Sequence, residues 1–237
     1  MEFYIWLLFV FLMSAFGSLT ILMIKNNFLI KNISLFSGVA AGVMLATTIW
    51  SLLMPSLEYS SSIIEVTFSF SFGFLLLLII EKLQKRSKNE AFDNETYLAI
   101  TLHNIPEGLI IGVGFGIANA SGNPFGAISL AIAIGIQNFP ESMSLSILLK
   151  DKNKTNMEIV TLSLISAVVE PIFGIIGYYL SYYIMNALGV ILGFTAGMML
   201  FVLLSEMIMN AINENKLIGM LGILVGFILM MILEKKL

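Results

Sequence analysis

Two short phrases in the chain place metal-ligating side chains at helical spacing inside long apolar stretches. They are His103-Asn104-Ile105-Pro106-Glu107-Gly108 and Gln137-Asn138-Phe139-Pro140-Glu141-Ser142. On a helix, residues at i, i+3 and i+4 share a face. His103, Asn104 and Glu107 therefore project together, and so do Gln137, Asn138 and Glu141. A third apolar stretch carries Glu170 directly before Pro171. An ionisable group at bilayer depth costs about 3 kcal/mol or more and is a functional site by default. Three carboxylates, one imidazole and three amides make an oxygen-rich set that also contains nitrogen. That set suits Zn²⁺, Mn²⁺, Fe²⁺ or Cd²⁺. A purely oxygen-liganded site would favour Mg²⁺ or Ca²⁺. His103 is the chain's single histidine. Alone it would read as a hydrogen-bonded core residue, but with Glu107 one turn away and the phrase repeated it reads as a ligand. Glu170 has fewer polar neighbours in sequence, and a structural pairing with another polar group is its rival role.

The elements that position these residues follow from composition. Of the 237 residues, 58% are hydrophobic and 11% charged, which no soluble domain of this length matches. Eight runs are long enough to cross a hydrocarbon core about 30 Å thick as helices. They cover about 3–24, 34–56, 62–80, 96–119, 125–149, 158–184, 187–209 and 217–234. The expectation is an all-α, polytopic membrane protein with eight transmembrane helices and little left for a soluble domain. The Asn119–Pro124 run is a turn that makes helices 4 and 5 an antiparallel hairpin. Glu107 then lies level with Gln137, and His103 with Glu141. Pro106 and Pro140 each remove a helical hydrogen bond, which predicts irregular backbone at the carbonyls of Leu102 and Ile136, of the kind that lines transporter cavities.

Charge orients the chain. Ten of the twelve Lys and Arg residues fall in alternate loops, and only Lys235 and Lys236 fall on the other side. The positive-inside rule makes those loops cytoplasmic and both termini extracellular. Residues 81–95 form the longest polar segment, read as a cytoplasmic loop without histidine. The first apolar run lacks a basic leader, since Glu2 is the only charge before Lys25, and reads as a retained helix. There are no cysteines, so disulfides and thiolate metal sites are excluded. A net charge of −3 gives no reason to expect a nucleic-acid partner. Small residues at Gly38–Gly42 and Ala196-Gly197 read as close helix packing, and Met198-Met199 as packing.

Taken together, HNIPEG on a fourth helix and QNFPES on a fifth resemble the ZIP (Zrt/Irt-like protein) metal transporters, especially their bacterial branch. Similar too are Ala40–Ala46 and Ser51–Pro55 in helix 2, Glu170-Pro171 with Gly174 and Gly177, and Thr195-Ala196-Gly197 before Glu206. The resemblance implies import of a divalent transition metal, zinc foremost, across the plasma membrane into the cytoplasm, with no catalytic cofactor. It implies that His103, Glu107, Gln137 and Glu141 hold the transported ion. Asn104, Asn138 and Glu170 would complete a neighbouring site that shares the glutamates. Asn138 stands where relatives often have Asp, and Ser142 where Gly is usual. Met44, Ser51 and Glu58 match pathway and entrance positions, and Glu206 an exit ligand with Ser205 in place of a usual His or acid. An elevator-like motion of helices 1, 4, 5 and 6 against helices 2, 3, 7 and 8, in a homodimer, is also implied. Two rivals stand beside this reading. One is a passive divalent-cation channel; the other is an intramembrane metalloenzyme, which would need a motif such as HExxH that the chain lacks.

Overall fold

The computed structural model describes residues 2–23, 31–86, 95–151, 154–184 and 187–236. Among these every regular element is helical, and they form eight rods. They are α1 (Glu2–Met23), α2 (Ile33–Tyr59), α3 (Ile63–Arg86), α4 (Glu95–Ser121), α5 (Phe125–Asp151), α6 (Asn156–Ile184), α7 (Leu188–Glu214) and α8 (Lys216–Lys236). Among the described residues, six of them (α1, α2, α3, α6, α7 and α8) are long and apolar enough to cross a membrane. The other two, α4 and α5, carry the repeated polar phrase.

The rods match the eight apolar runs, with two differences at their ends. The helix α3 continues to Arg86, so the expected loop from residue 81 begins later, and residues 87–94 lie outside the described residues. The stretch Glu81–Arg86 is made of good helix formers, with Glu81 and Lys85 at favourable i, i+4 spacing. Helix α7 also runs past residue 209 to Glu214. Between α4 and α5 the chain reverses over Gly122, Asn123 and Pro124. Gly122 adopts φ of 75° and its N–H bonds to the Ala118 carbonyl at 2.8 Å. That is a left-handed helix terminus, which glycine adopts at least cost. The side chain of Asn123 then accepts from the Phe125 N–H and starts α5.

The backbone irregularities fall elsewhere than the prolines of the motif suggested. Helices α4, α5 and α6 run unbroken through Pro106, Pro140 and Pro171. Neighbouring helices hold them there. The Phe139 carbonyl packs on Gly17 of α1, and the Glu170 carbonyl on Gly108 of α4. The widened turns are instead π-helical, at Thr48–Leu53 in α2 and Leu203–Met207 in α7. In α2, Met54 N–H reaches back five residues to the Ile49 carbonyl. Pro55 explains this turn, because it offers no N–H and its ring pushes on the preceding turn. Single π turns of this kind often mark functional positions.

Packing is mostly pairwise. Helix α4 lies along α6, α1 along α5, and α1 also meets α6; α2 lies along α8, and α3 along α7. Glycines make these contacts close. A Cβ on Gly112 would collide with the Gly174 carbonyl, one on Gly42 with the Ile223 carbonyl, and one on Gly197 with the Phe70 carbonyl. Small residues allow backbones to approach in this way where the solvent offers little hydrophobic drive. We expect Gly112→Ala to push α4 off α6 and destabilise the protein by about 1–3 kcal/mol, the usual cost of overpacking. Gly126→Ala, whose Cβ would meet nothing within 4 Å, should leave stability unchanged or slightly raised. Thermal melting of both variants in detergent checks the contrast.

Candidate metal centre

Helices α4, α5 and α6 bring the motif residues together. Gln137 Nε2 on α5 donates a hydrogen bond to Glu107 Oε1 on α4. One residue along, Asn138 Nδ2 donates to Glu170 Oε2 on α6 at 2.7 Å. Asn104 on α4 turns to α6 instead, where its Nδ2 donates to the Ser166 carbonyl at 2.8 Å and to the Ser166 hydroxyl at 3.1 Å. Glu141 is buried on α5, one turn beyond Asn138. All six of Asn104, Glu107, Gln137, Asn138, Glu141 and Glu170 are at most 7% exposed, so the carboxylates depend on protein partners and not on bulk water.

Several oxygens of this set accept nothing. Gln137 Oε1, Asn138 Oδ1 and Glu170 Oε1 are buried without a hydrogen-bond partner among the described residues. Buried polar atoms are nearly always satisfied, and buried acceptors left open are the chemistry a cation takes up. Among the described residues no three carboxylates or imidazoles gather at one point. The centre consists instead of carboxylate–amide pairs. The backbone tightens it. Gly108, next to Glu107, sits where the Glu170 carbonyl leaves no room for a side chain, and Ser142 packs its Cβ on Gly17.

The remaining sequence candidates are placed as follows. The side chain of His103 lies outside the described residues. Met44 is buried in α2. Ser51 lies in the π turn of α2 and lines a cavity. Glu58 is exposed near the end of α2, and Glu206 is half-buried in the π turn of α7. Sequence reasoning passed over Ser166, which holds Asn104. A signal existed, since Ser166 is four residues before Glu170 and so shares its face.

An all-helical chain with buried carboxylates facing buried amides defines a polytopic membrane protein with an internal polar centre. The family model described as "ZIP Zinc transporter" matches residues 94–234. The zinc transporter ZupT of Streptococcus mutans is 30% identical over 247 residues, covering 92% of this chain and 91% of that protein. The zinc transporter ZIPB of Bordetella bronchiseptica is 29% identical over 217 residues, covering 83% of this chain and 69% of its own length. Human zinc transporter ZIP11 is 38% identical over 140 residues, 58% of this chain, which spans only 41% of the human protein. The chain belongs to the ZIP zinc transporter family, whose members are transporters rather than enzymes. It is a multi-pass membrane protein.

The pairing of Asn138 with Glu170 sets up a test. Replacing Asn138 by Asp puts a second acid where an amide now donates, and like charges in a buried site repel. We expect Asn138→Asp to melt lower than the native protein in a chelator and to gain more from added zinc. Saturation at 100 times the dissociation constant adds about 2.7 kcal/mol per site. Melting curves with and without zinc read the difference, and equal zinc gains in the two proteins would contradict it.

Proposed function

We propose that the protein imports a divalent transition metal, zinc foremost, through the centre between α4, α5 and α6. The observation that carries this reading is the set of buried acceptors without a hydrogen-bond partner among the described residues, Gln137 Oε1 in the pair with Glu107 and Asn138 Oδ1 and Glu170 Oε1 in the pair between α5 and α6. In this reading His103, Glu107, Gln137 and Glu141 hold the transported ion, with Asn104, Asn138 and Glu170 beside it. Cd²⁺, Fe²⁺ and Mn²⁺ suit the same donors. The relatives' names, all zinc transporters, favour zinc among these.

The motion we propose is a displacement of α1, α4, α5 and α6 against α2, α3, α7 and α8. Two observations support it. The close glycine contacts run within each group, as at Gly17 on α5, Gly112 on α6, Gly42 on α8 and Gly197 on α3. Between the groups lie mainly apolar side chains, a hydrogen bond between Ser37 of α2 and Ser144 of α5, and a cavity. All eight rods cross the membrane in this reading, with basic loops in the cytoplasm, both termini outside and the protomer paired in a homodimer in the plasma membrane.

Uptake into proteoliposomes across a panel of divalent ions tests the function. Zinc uptake should saturate, as alternating access requires, whereas flux that stays linear would favour a channel. Glu107→Ala should lose at least about 10- to 100-fold of the activity, since even partners outside the ligand set cost that much in metal sites. Near-native uptake by folded Glu107→Ala would sink the assignment. The absence of native cysteine makes the topology easy to test. An impermeant maleimide added to whole cells should label Leu237→Cys and leave Asn89→Cys unlabelled; the reverse pattern would invert the orientation.

A further inference from the structure

The three amides of the centre are held in two different ways. Gln137 and Asn138 donate to the carboxylates of Glu107 and Glu170. A cation that binds those carboxylates competes with these bonds, so both amides lose part of their hold when it arrives. Asn104 is held by uncharged oxygens of one residue. Its Nδ2 donates to the Ser166 carbonyl at 2.8 Å and to Ser166 Oγ at 3.1 Å. Neither acceptor carries a charge, so a divalent cation beside the glutamates has little to draw it away from the amide.

This grip fixes which way the amide points. A carbonyl oxygen cannot donate, so the nitrogen of Asn104 and not its oxygen has to face Ser166. An NH₂ group has two hydrogens, and Ser166 supplies an acceptor for each. Both hydrogen bonds of Asn104 among the described residues are made by Nδ2, which leaves Oδ1 as the atom this residue can offer elsewhere. The grip lies beside the centre. Asn104 is three residues before Glu107 on α4, and Ser166 is four residues before Glu170 on α6, so each shares a face with its glutamate. Asn104 is 7% exposed and Ser166 2%, so bulk water does not compete for the amide.

We propose that Ser166 is a positioning residue of the metal centre, which grips the amide of Asn104 by both hydrogens and so presents Asn104 Oδ1 as a neutral ligand oriented before the ion arrives. The proposal rests on the transport reading above and deepens it. A ligand that is already ordered gives up no rotational freedom on binding, and that saving appears as affinity. Supporting residues of this kind orient the ligands of metal sites and tune how tightly they bind.

Equilibrium zinc binding by the purified protein in detergent tests this, with melting temperature confirming the fold of each variant. Ser166→Ala removes the hydroxyl and keeps the carbonyl. Alanine is the better helix former and adds no atom, so the variant should fold. Its zinc affinity should fall about fivefold, the equivalent of one ordinary hydrogen bond. Ser163→Ala is the control. It removes a buried hydroxyl of the same helix that lies 3.4 Å from Ser146 Oγ, and it should bind zinc as the native protein does. In an Asn104→Ala background, Ser166→Ala should cause no further loss, because Ser166 acts only through that amide. A merely structural role would weaken binding alike in both backgrounds. Native affinity in Ser166→Ala or in Asn104→Ala, an equal loss in Ser163→Ala, or the same fivefold loss on the Asn104→Ala background overturns the positioning role. A folded native protein that binds no zinc at all would instead overturn the transport reading.

Discussion

A carboxylate buried among apolar helices has to be answered by a donor, and in this fold two adjacent amides on one helix answer two carboxylates on two others. At 3.6 residues per turn, neighbouring residues point about 100° apart around the helix axis. Gln137 therefore faces α4 and Glu107, while Asn138 faces α6 and Glu170. One step along α5 thus ties together three helices. Leaving a buried acceptor without its donor costs about 1–3 kcal/mol, and more when the acceptor is charged, so these bonds fix the relative height and rotation of α4, α5 and α6. Asn104 closes the third side by bonding Ser166. The remaining packing can be loose or tight only within that geometry.

The glycines show which way the packing is tight. Backbone touches backbone along α4 and α6 at Gly108 and Gly112, and along α2 and α8 at Gly38 and Gly42. A contact of this kind has no side chain to rearrange, so it resists sliding. The seam between the two groups proposed above is built differently, from side chains, the Ser37–Ser144 hydrogen bond and the cavity. Side chains can change rotamer and a single hydroxyl pair can exchange partners. In the motion proposed above, displacement across the seam would therefore cost less than displacement within either group. The π turns of α2 and α7 add to this, because both lie in rods of the group that we propose as the scaffold.

Much of this architecture was legible in the chain because the membrane imposes one rule on every span. Each run of about 20 apolar residues gave one rod, since a spanning segment has to satisfy its backbone internally. The hairpin was readable from Gly122 and its neighbours, and the hairpin in turn placed Glu107 level with Gln137. What the sequence did not reveal depended on contacts between distant segments. Pro106 and Pro140 looked like breaks, yet the helices around them continue because adjacent helices buttress the turns. The π turn of α7 has no proline to announce it. Ser166 is an ordinary serine until folding gives it an amide to hold. The role of His103 stays where the sequence left it, as the neighbour of Glu107.

The asparagine at 138 sets how many oxygens the proposed centre can offer an ion. An amide has one acceptor and one donor group, and a donor cannot face a cation. Here the donor side of Asn138 is committed to Glu170 Oε2. That leaves Asn138 Oδ1 and Glu170 Oε1 as the acceptors of this pair. An aspartate in the same place would have no donor to commit, and would need a second positive charge between it and Glu170 to be stable. The hydrogen bond thus does without a metal what a second cation would otherwise do, holding α5 to α6. In the reading proposed above, Glu107, Gln137 and Glu141 are left to carry the transported ion together with His103. An ion bound by fewer anions is also released more readily, which a carrier needs as much as it needs affinity.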